Sequence, residues 1–191
     1  MINPDARPNT DQRRYSFELV QPEEIPEVAA FMQPVYADTY PNEARGTTKE
    51  MFDDPLFREH VEEYLGDQLA TPGRNLWVAR DEQGIVGSIG LEADADPSNP
   101  EIWGFYVDVD RQGEGVGSEL WEQVMSTKQL ADADKVHLNV AVDSPQAAHF
   151  YEDKGMQKVG EPFTVQWPQW KQEYRDAGLT NEYQRMEMNL R

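Results

Sequence analysis

Gln112-Gly113-Glu114-Gly115-Val116-Gly117 is the stretch that decides how the rest of the chain is read. Upstream, Ile102–Val109 is apolar and rich in strand formers, and runs through Asp110 and Arg111 into the glycines. Downstream, Val116, Leu120 and Val124 recur at i, i+4 and i+8, the period of a helix. The glycines therefore stand at a strand-to-helix corner. Three of them at alternate positions let the backbone turn tightly with its N–H groups pointing one way. With the positive end of the following helix, those amides form an anion site suited to a diphosphate. A tight turn with no ligand has the same composition, so the corner alone does not decide the matter. It does exclude two nucleotide classes. A dinucleotide fingerprint needs a glycine where Ser118 stands and a short strand near the start of its domain, and a phosphate-binding P-loop needs a lysine after Gly117.

Outward from this corner, the flanking segments read as alternating strands and helices. Toward the N-terminus, Tyr15, Phe17 and Leu19 alternate with Ser16 and Glu18 as a half-buried strand. Pro22 opens a helix with Ile25, Val28, Ala29 and Met32 on one face. Asp54-Pro55 starts a second, with Phe57, Val61, Tyr64 and Leu65 inward. Leu76–Arg80 and Ile85–Leu91 are strands joined by the turn Asp81–Gly84, and Ala93–Pro100 is a polar loop. Toward the C-terminus, Lys135–Val142 is a strand, and Ser144-Pro145 caps a helix that runs to Asp153 and stops at Gly155. Met156–Val159 begins a further strand, and Met186, Met188 and Leu190 alternate in the last. The order β-α-α-β-β-β-α-β-α-β-β specifies an α/β (α+β) fold. Its mixed sheet has six to seven strands and helices on both faces. A loose tail over residues 1–13 and a single domain over 14–191 are expected, because no repeat or linker interrupts the pattern.

Composition bounds the function. The chain has 191 residues, 38% of them hydrophobic, which suits one folded unit. It has no cysteine, so thiolate catalysis and thiolate metal sites are excluded, and no metal is expected. No apolar run is long enough to span a membrane and the N-terminal stretch is polar, so a cytoplasmic protein is expected. The formal charge of −19 repels nucleic acid and anionic membranes. It suits either a polycationic substrate or a solvated acidic coat, as in a high-salt cytoplasm, and both readings stay open.

A second block, Ser144-Pro145-Gln146-Ala147-Ala148-His149-Phe150-Tyr151-Glu152-Asp153-Lys154-Gly155-Met156, follows the corner by one helix and one strand. Together the two blocks resemble the Gcn5-related N-acetyltransferase (GNAT) family. Its pyrophosphate motif is matched in register by Gln112, Gly115 and Gly117, and its downstream tyrosine motif by Ala147 and Tyr151. The similarity covers about residues 14–160. Ser144 stands where an asparagine is usual, and serine is also able to cap the helix and reach the cofactor. Met156 replaces a phenylalanine, and Glu114 places a negative charge where many relatives carry a basic residue.

The resemblance implies a GNAT-like sheet that binds acetyl-CoA as co-substrate between the Ile102–Val109 and Lys135–Val142 strands. It implies that Phe105, Tyr106 and Val107 pair with the pantetheine arm and polarise the thioester carbonyl. It further implies that Gln112, Gly113, Glu114, Gly115, Val116, Gly117 and Ser118 surround the pyrophosphate, with Ser144, Ala147 and Tyr151 across from them. Tyr151 is the expected general acid for the leaving thiolate; a buried aromatic on an apolar helix face is its plain alternative. Glu101 is the expected general base. It lies eleven positions before Gln112 (112 − 101), as in the histone-acetylating branch, and burial beside Ile102 and Trp103 would suit a base. A solvated strand-end glutamate is the alternative. Asn139 stands where the ribosomal-protein alanine acetyltransferases carry a glutamate, which counts against that substrate class. Tyr36 and Tyr40, on a segment expected to follow the first helix, are candidates with Asn139 for acceptor contact. Trp167, Trp170 and Tyr174 lie on a long connection, Phe163–Tyr183, as a lid, a cation-binding wall or packing under the loop. The Tyr36–Leu65 region is loosely similar to bacterial spermidine/spermine acetyltransferases. The expected activity is thus acetyl transfer to a small amine or polyamine. Protein N-terminal or lysine acetylation and a non-catalytic acyl-CoA sensor are the alternatives, and a homodimer is possible for the family.

Overall fold

A computed structural model describes residues 14–166, 172 and 180–191. The expected tail, residues 1–13, and Trp167, Trp170 and Tyr174 lie outside the described residues. The first strand, β1 (Ser16–Leu19), follows buried Tyr15. Its inward alternation ends early. Leu19 is exposed and Val20 is buried in its place, because the chain leaves this edge strand there and Val20 donates to the Leu76 carbonyl.

Helix α1 (Ile25–Thr39) buries Val28, Ala29, Met32, Val35, Tyr36 and Ala37. It is longer than expected: the segment from Tyr36 to Thr39 is its last turn rather than a following loop. Pro34 does not end it, because the residue whose carbonyl loses its donor, Ala30, faces solvent. A short helix, α2 (Lys49–Asp53), was not legible in the sequence. The next, α3 (Pro55–Ala70), starts as expected, with the Asp54 carboxylate accepting from the Leu56 amide at 2.9 Å and Pro55 in the first position.

The hairpin β2 (Arg74–Asp81) and β3 (Gly84–Glu92) leads through the expected polar loop to β4 (Glu101–Val107). After the glycine corner come α4 (Val116–Met125), β5 (Lys135–Ala141) and α5 (Pro145–Asp153). The chain closes with β6 (Gln157–Lys158), β7 (Phe163–Val165) and β8 (Asn181–Asn189). These make eight strands, where six to seven were expected. The extra one, β7, has three mostly exposed residues and so carries no period to read; β8 also begins five residues before Met186 (186 − 181).

The sheet order is β1-β2-β3-β4-β5-β8-β6, with β7 also on β8, and only β4 and β5 run parallel. Each face carries its own apolar layer. Leu76 and Val78 of β2 pack with α1, α2 and α3, while Ala79 of β2, Ile89 and Leu91 of β3 and Leu138 of β5 pack with α4 and Tyr151. This alternation along β2 is what a sheet covered on both sides requires.

Two irregularities shape the centre. The first is the seam between β4 and β5, which share a single register pair, Glu101 with His137. Before that point the strands are held by loop bonds, the Asp134 amide to the Ser98 carbonyl and the His137 amide to Pro100. Beyond it they part. The second is a bulge in β4. Gly90 faces Trp103 and Ser88 faces Tyr106, so three steps on β4 oppose two on β3. Gly104 supplies the extra residue at φ +57°, a conformation glycine adopts without strain. The Ser88 hydroxyl donates to its carbonyl at 2.8 Å.

Candidate active site

The parting of β4 and β5 opens a cleft of about 760 Å³. Phe105, Tyr106 and Val107 form one wall, and Asn139 with the β5–α5 loop forms the other. The glycine corner closes one end. Of the residues expected at the site, Gln112, Gly113, Gly115, Val116, Gly117, Ser118, Ser144, Ala147, Tyr151, Tyr40 and Asn139 also line it. Glu114, Glu101 and Tyr36 do not.

The corner has the geometry of an anion cradle. Gly113 (φ +80°) and Gly115 (φ +93°) both take left-handed backbone, and a methyl group built on either would meet nothing within 4 Å. These glycines therefore serve conformation and leave space above them. Gly115 is the N-cap of α4 and has no side chain to accept from the first-turn amides. The N–H groups of Val116, Gly117 and Ser118 thus head the helix without a capping side chain, at its positive end.

Glu114 does not add an uncompensated charge. Its carboxylate is held by Arg14 at 2.5 Å and by Arg111 at 3.1 Å, and Arg111 also pairs with Asp81 at 2.6 Å. Arg111 itself lines the cleft, a cation beside the cradle that sequence reasoning missed. Its partner Asp81 lies thirty positions away in the chain, so only the folded sheet brings the two together. Gly104 was missed as well, although a glycine inside a strand pattern is a recognised sign of a bulge. Opposite, Ser144 is the N-cap residue of α5 but its side chain does not cap the helix, contrary to expectation. The backbone there has ψ 70°, away from the extended cap geometry, and the residue instead lines the cleft.

A smaller recess of about 220 Å³ adjoins the cleft and shares Ile102, Trp103, Gly104, Tyr106, Asn139 and Tyr183 with it. Glu101 and Tyr36 line this recess. Glu101 is partly buried and meets two donors: the Asn139 amide at 3.1 Å and the Arg74 guanidinium at 3.6 Å. Arg74 also lies 5.3 Å over the Trp103 ring. Tyr36 is a core residue, edge-on to Tyr106 at 4.8 Å, and the Tyr40 and Tyr106 hydroxyls are 3.1 Å apart. Burial holds the phenols of Tyr36, Tyr40 and Tyr106 above their ordinary range, so all three stay protonated.

Residues 35–156, well over half of the chain, match the model of the acetyltransferase (GNAT) family. The chain belongs to that family. Its closeness to individual members is modest. An uncharacterized N-acetyltransferase from the pepI 3′ region of Lactobacillus delbrueckii subsp. lactis is 25% identical over 150 residues, 74% of this chain and 84% of that one. The Vibrio cholerae spermidine N-acetyltransferase, solved with CoA and spermine, has the same fold with a TM-score of 0.61 at 18% identity, over 92% of this chain and 95% of that one. A GNAT acetyltransferase of Staphylococcus aureus Mu50 gives 0.63 at 17% identity, over 93% and 99%.

GNAT enzymes use acetyl-CoA, and the residues of this acetyltransferase fit it: an open glycine cradle, uncapped helix amides and Arg111 suit a diphosphate. Tyr151, also in the cleft lining, is buried against Phe105, Phe150 and Trp121, with ring centroids 5.5–6.3 Å apart. That apolar shell raises its phenol above the ordinary range, so the hydroxyl remains a hydrogen-bond donor.

Proposed function

We propose that this GNAT acetyltransferase transfers an acetyl group from acetyl-CoA to the primary amine of a small molecule by direct attack. The observation that carries the reading is the opened seam of the sheet, lined both by uncapped helix amides and by a buried, protonated tyrosine. When bound, acetyl-CoA supplies an activated acyl group on a thiol leaving group. The amides of Val116, Gly117 and Ser118, with Arg111, neutralise the diphosphate. Phe105, Tyr106 and Val107, on the edge of β4 that β5 leaves open, offer backbone to the pantetheine amides and to the carbonyl oxygen on which charge develops.

Glu101 acts from the recess as general base toward the acceptor ammonium, directly or through water, beside Asn139, which borders both recess and cleft. Asn139 holds its carboxylate in place. Tyr151 donates to the departing sulfur. A phenol raised above its usual value near 10 is a weaker acid than a thiol near 8.5. Full proton transfer is therefore uphill by at least about 2 kcal/mol, and Tyr151 acts chiefly as a hydrogen-bond donor to the thiolate. Ser144 and Ala147 border the thiol end.

The test is calorimetric titration with acetyl-CoA, followed by thiol release with a panel of primary amines. Binding with turnover of at least one small amine is expected. Binding without turnover of any amine or lysine peptide would show a non-catalytic acyl-CoA sensor instead.

A further inference from the structure

The small recess beside the cleft bears on which amine is accepted. Resting on the acetyl-transfer reading above, we infer that the acceptor is a primary amine with one positive charge, carried on a compact apolar or aromatic body, and not a polyamine. Three observations carry this. First, the recess has an apolar and aromatic side, formed by Met32, Leu65, Phe163, Val165 and the rings of Tyr64 and Tyr106, facing the polar groups of Glu101 and Asn139. At about 220 Å³ it is below the roughly 300 Å³ at which drug-sized ligands begin, and suits a body no larger than a substituted ring.

Second, among the described residues Glu101 is the only carboxylate lining it, and Arg74 already sits at 3.6 Å from that group. One carboxylate shared with one arginine accommodates a single ammonium, which becomes neutral as it reacts. A second ammonium held here would be desolvated with no partner, which is strongly unfavourable.

Third, the indole face of Trp103, which lines the recess, is taken. The Arg74 guanidinium lies 5.3 Å over Trp103. On the far side, Asp143 is engaged by Arg45 at 3.3 Å and by the Asn42 amide at 2.7 Å. Asp38, the other carboxylate lining the cleft, lies outside the recess.

The experiment compares kcat/KM for phenethylamine with that for putrescine and spermidine at saturating acetyl-CoA. Phenethylamine should be favoured by about tenfold or more, the scale on which pocket complementarity separates substrates. Phe163→Asp places a carboxylate on the exposed three-residue edge strand at the recess, and should shift the putrescine-to-phenethylamine ratio upward by about fivefold or more. A preference for putrescine or spermidine in the unaltered protein overturns the inference, as does a ratio that Phe163→Asp leaves unmoved. Turnover of lysine peptides alone also overturns it while leaving acetyl transfer standing. Absence of acetyl-CoA binding brings down both.

Discussion

At the scale of single residues, the two proposed chemical groups separate cleanly from the groups that only support them. Tyr151→Phe keeps the ring stack and removes the donor, so kcat should fall about 10²-fold with acetyl-CoA affinity unchanged. Stopped-flow rates with calorimetry check this, and a kcat within error of the parent would end the role of Tyr151. Because burial keeps that phenol protonated, the parent rate should show no loss from tyrosine ionisation up to pH 10. His137 offers a separate prediction about stability. It is half-buried on β5 with its Nδ1 3.0 Å from the Asn99 carbonyl, and faces Arg185, Glu101 and Glu187. Burial, then Arg185, lowers its pKa. The unfolded chain takes up a proton here near pH 6.5, the folded chain only at lower pH. Stability contributed by neutral His137 is therefore full above about pH 6.5 and declines as pH falls below it toward the folded value. His137→Gln should lose less Tm between pH 7.5 and 5.5 than the parent, and an equal loss would exclude the histidine. Tyr151 and the glycines were readable because each sits in a local motif. The partners of Glu101 were not: Arg74 and Asn139 are 27 and 38 positions away, and only strand pairing makes them neighbours.

At the scale of elements, the position of α4 sets the cradle. A methyl group built on Gly87 of β3 would lie 2.7 Å from Leu120 and 3.0 Å from Val116, so bare backbone at that point lets the helix sit down on the sheet. Gly87→Ala should therefore cost about 1–3 kcal/mol through overpacking and lift the first turn, weakening acetyl-CoA binding as well. Thermal unfolding and calorimetry together check it; lost stability with intact affinity would mean that the helix N-terminus does not depend on this contact. Gly115→Ala isolates the other contribution. There is room for the methyl group, but the φ of +93° is unfavourable for any side chain, so a loss of about 1–2 kcal/mol is expected without a clash. The helices and long strands were legible because burial on one face writes a period into the chain. The short elements α2 and β7 span less than two periods and stayed invisible. The length of α1 was underestimated, since the expected face ended at Met32, whereas Val35, Tyr36 and Ala37 are also buried and Pro34, at an exposed position, does not end the helix.

At the scale of the whole molecule, the charge of −19 bears on stability. Arg80, which gathers Glu18, Glu24 and Glu27, sets one cation against three anions. Self-repulsion screened by salt should raise Tm between 0.05 and 1 M NaCl, since screening at about 3 Å in molar salt removes long-range repulsion first. A Tm that is flat or falls with salt would mean that the pairs, not the net charge, dominate. The fold class was legible as an order of elements, but the layout of the seam was not, because a single shared register pair leaves no mark in either strand's composition. That seam has a consequence for how the protein comes apart. With one register pair, Glu101 with His137, and the loop bonds beside it, β1–β4 and β5–β8 are two blades joined edge to edge at one end only. Hydrogen–deuterium exchange should find the second blade opening at a lower free energy than the first, and acetyl-CoA, lying across the gap, should bring the two to one common value.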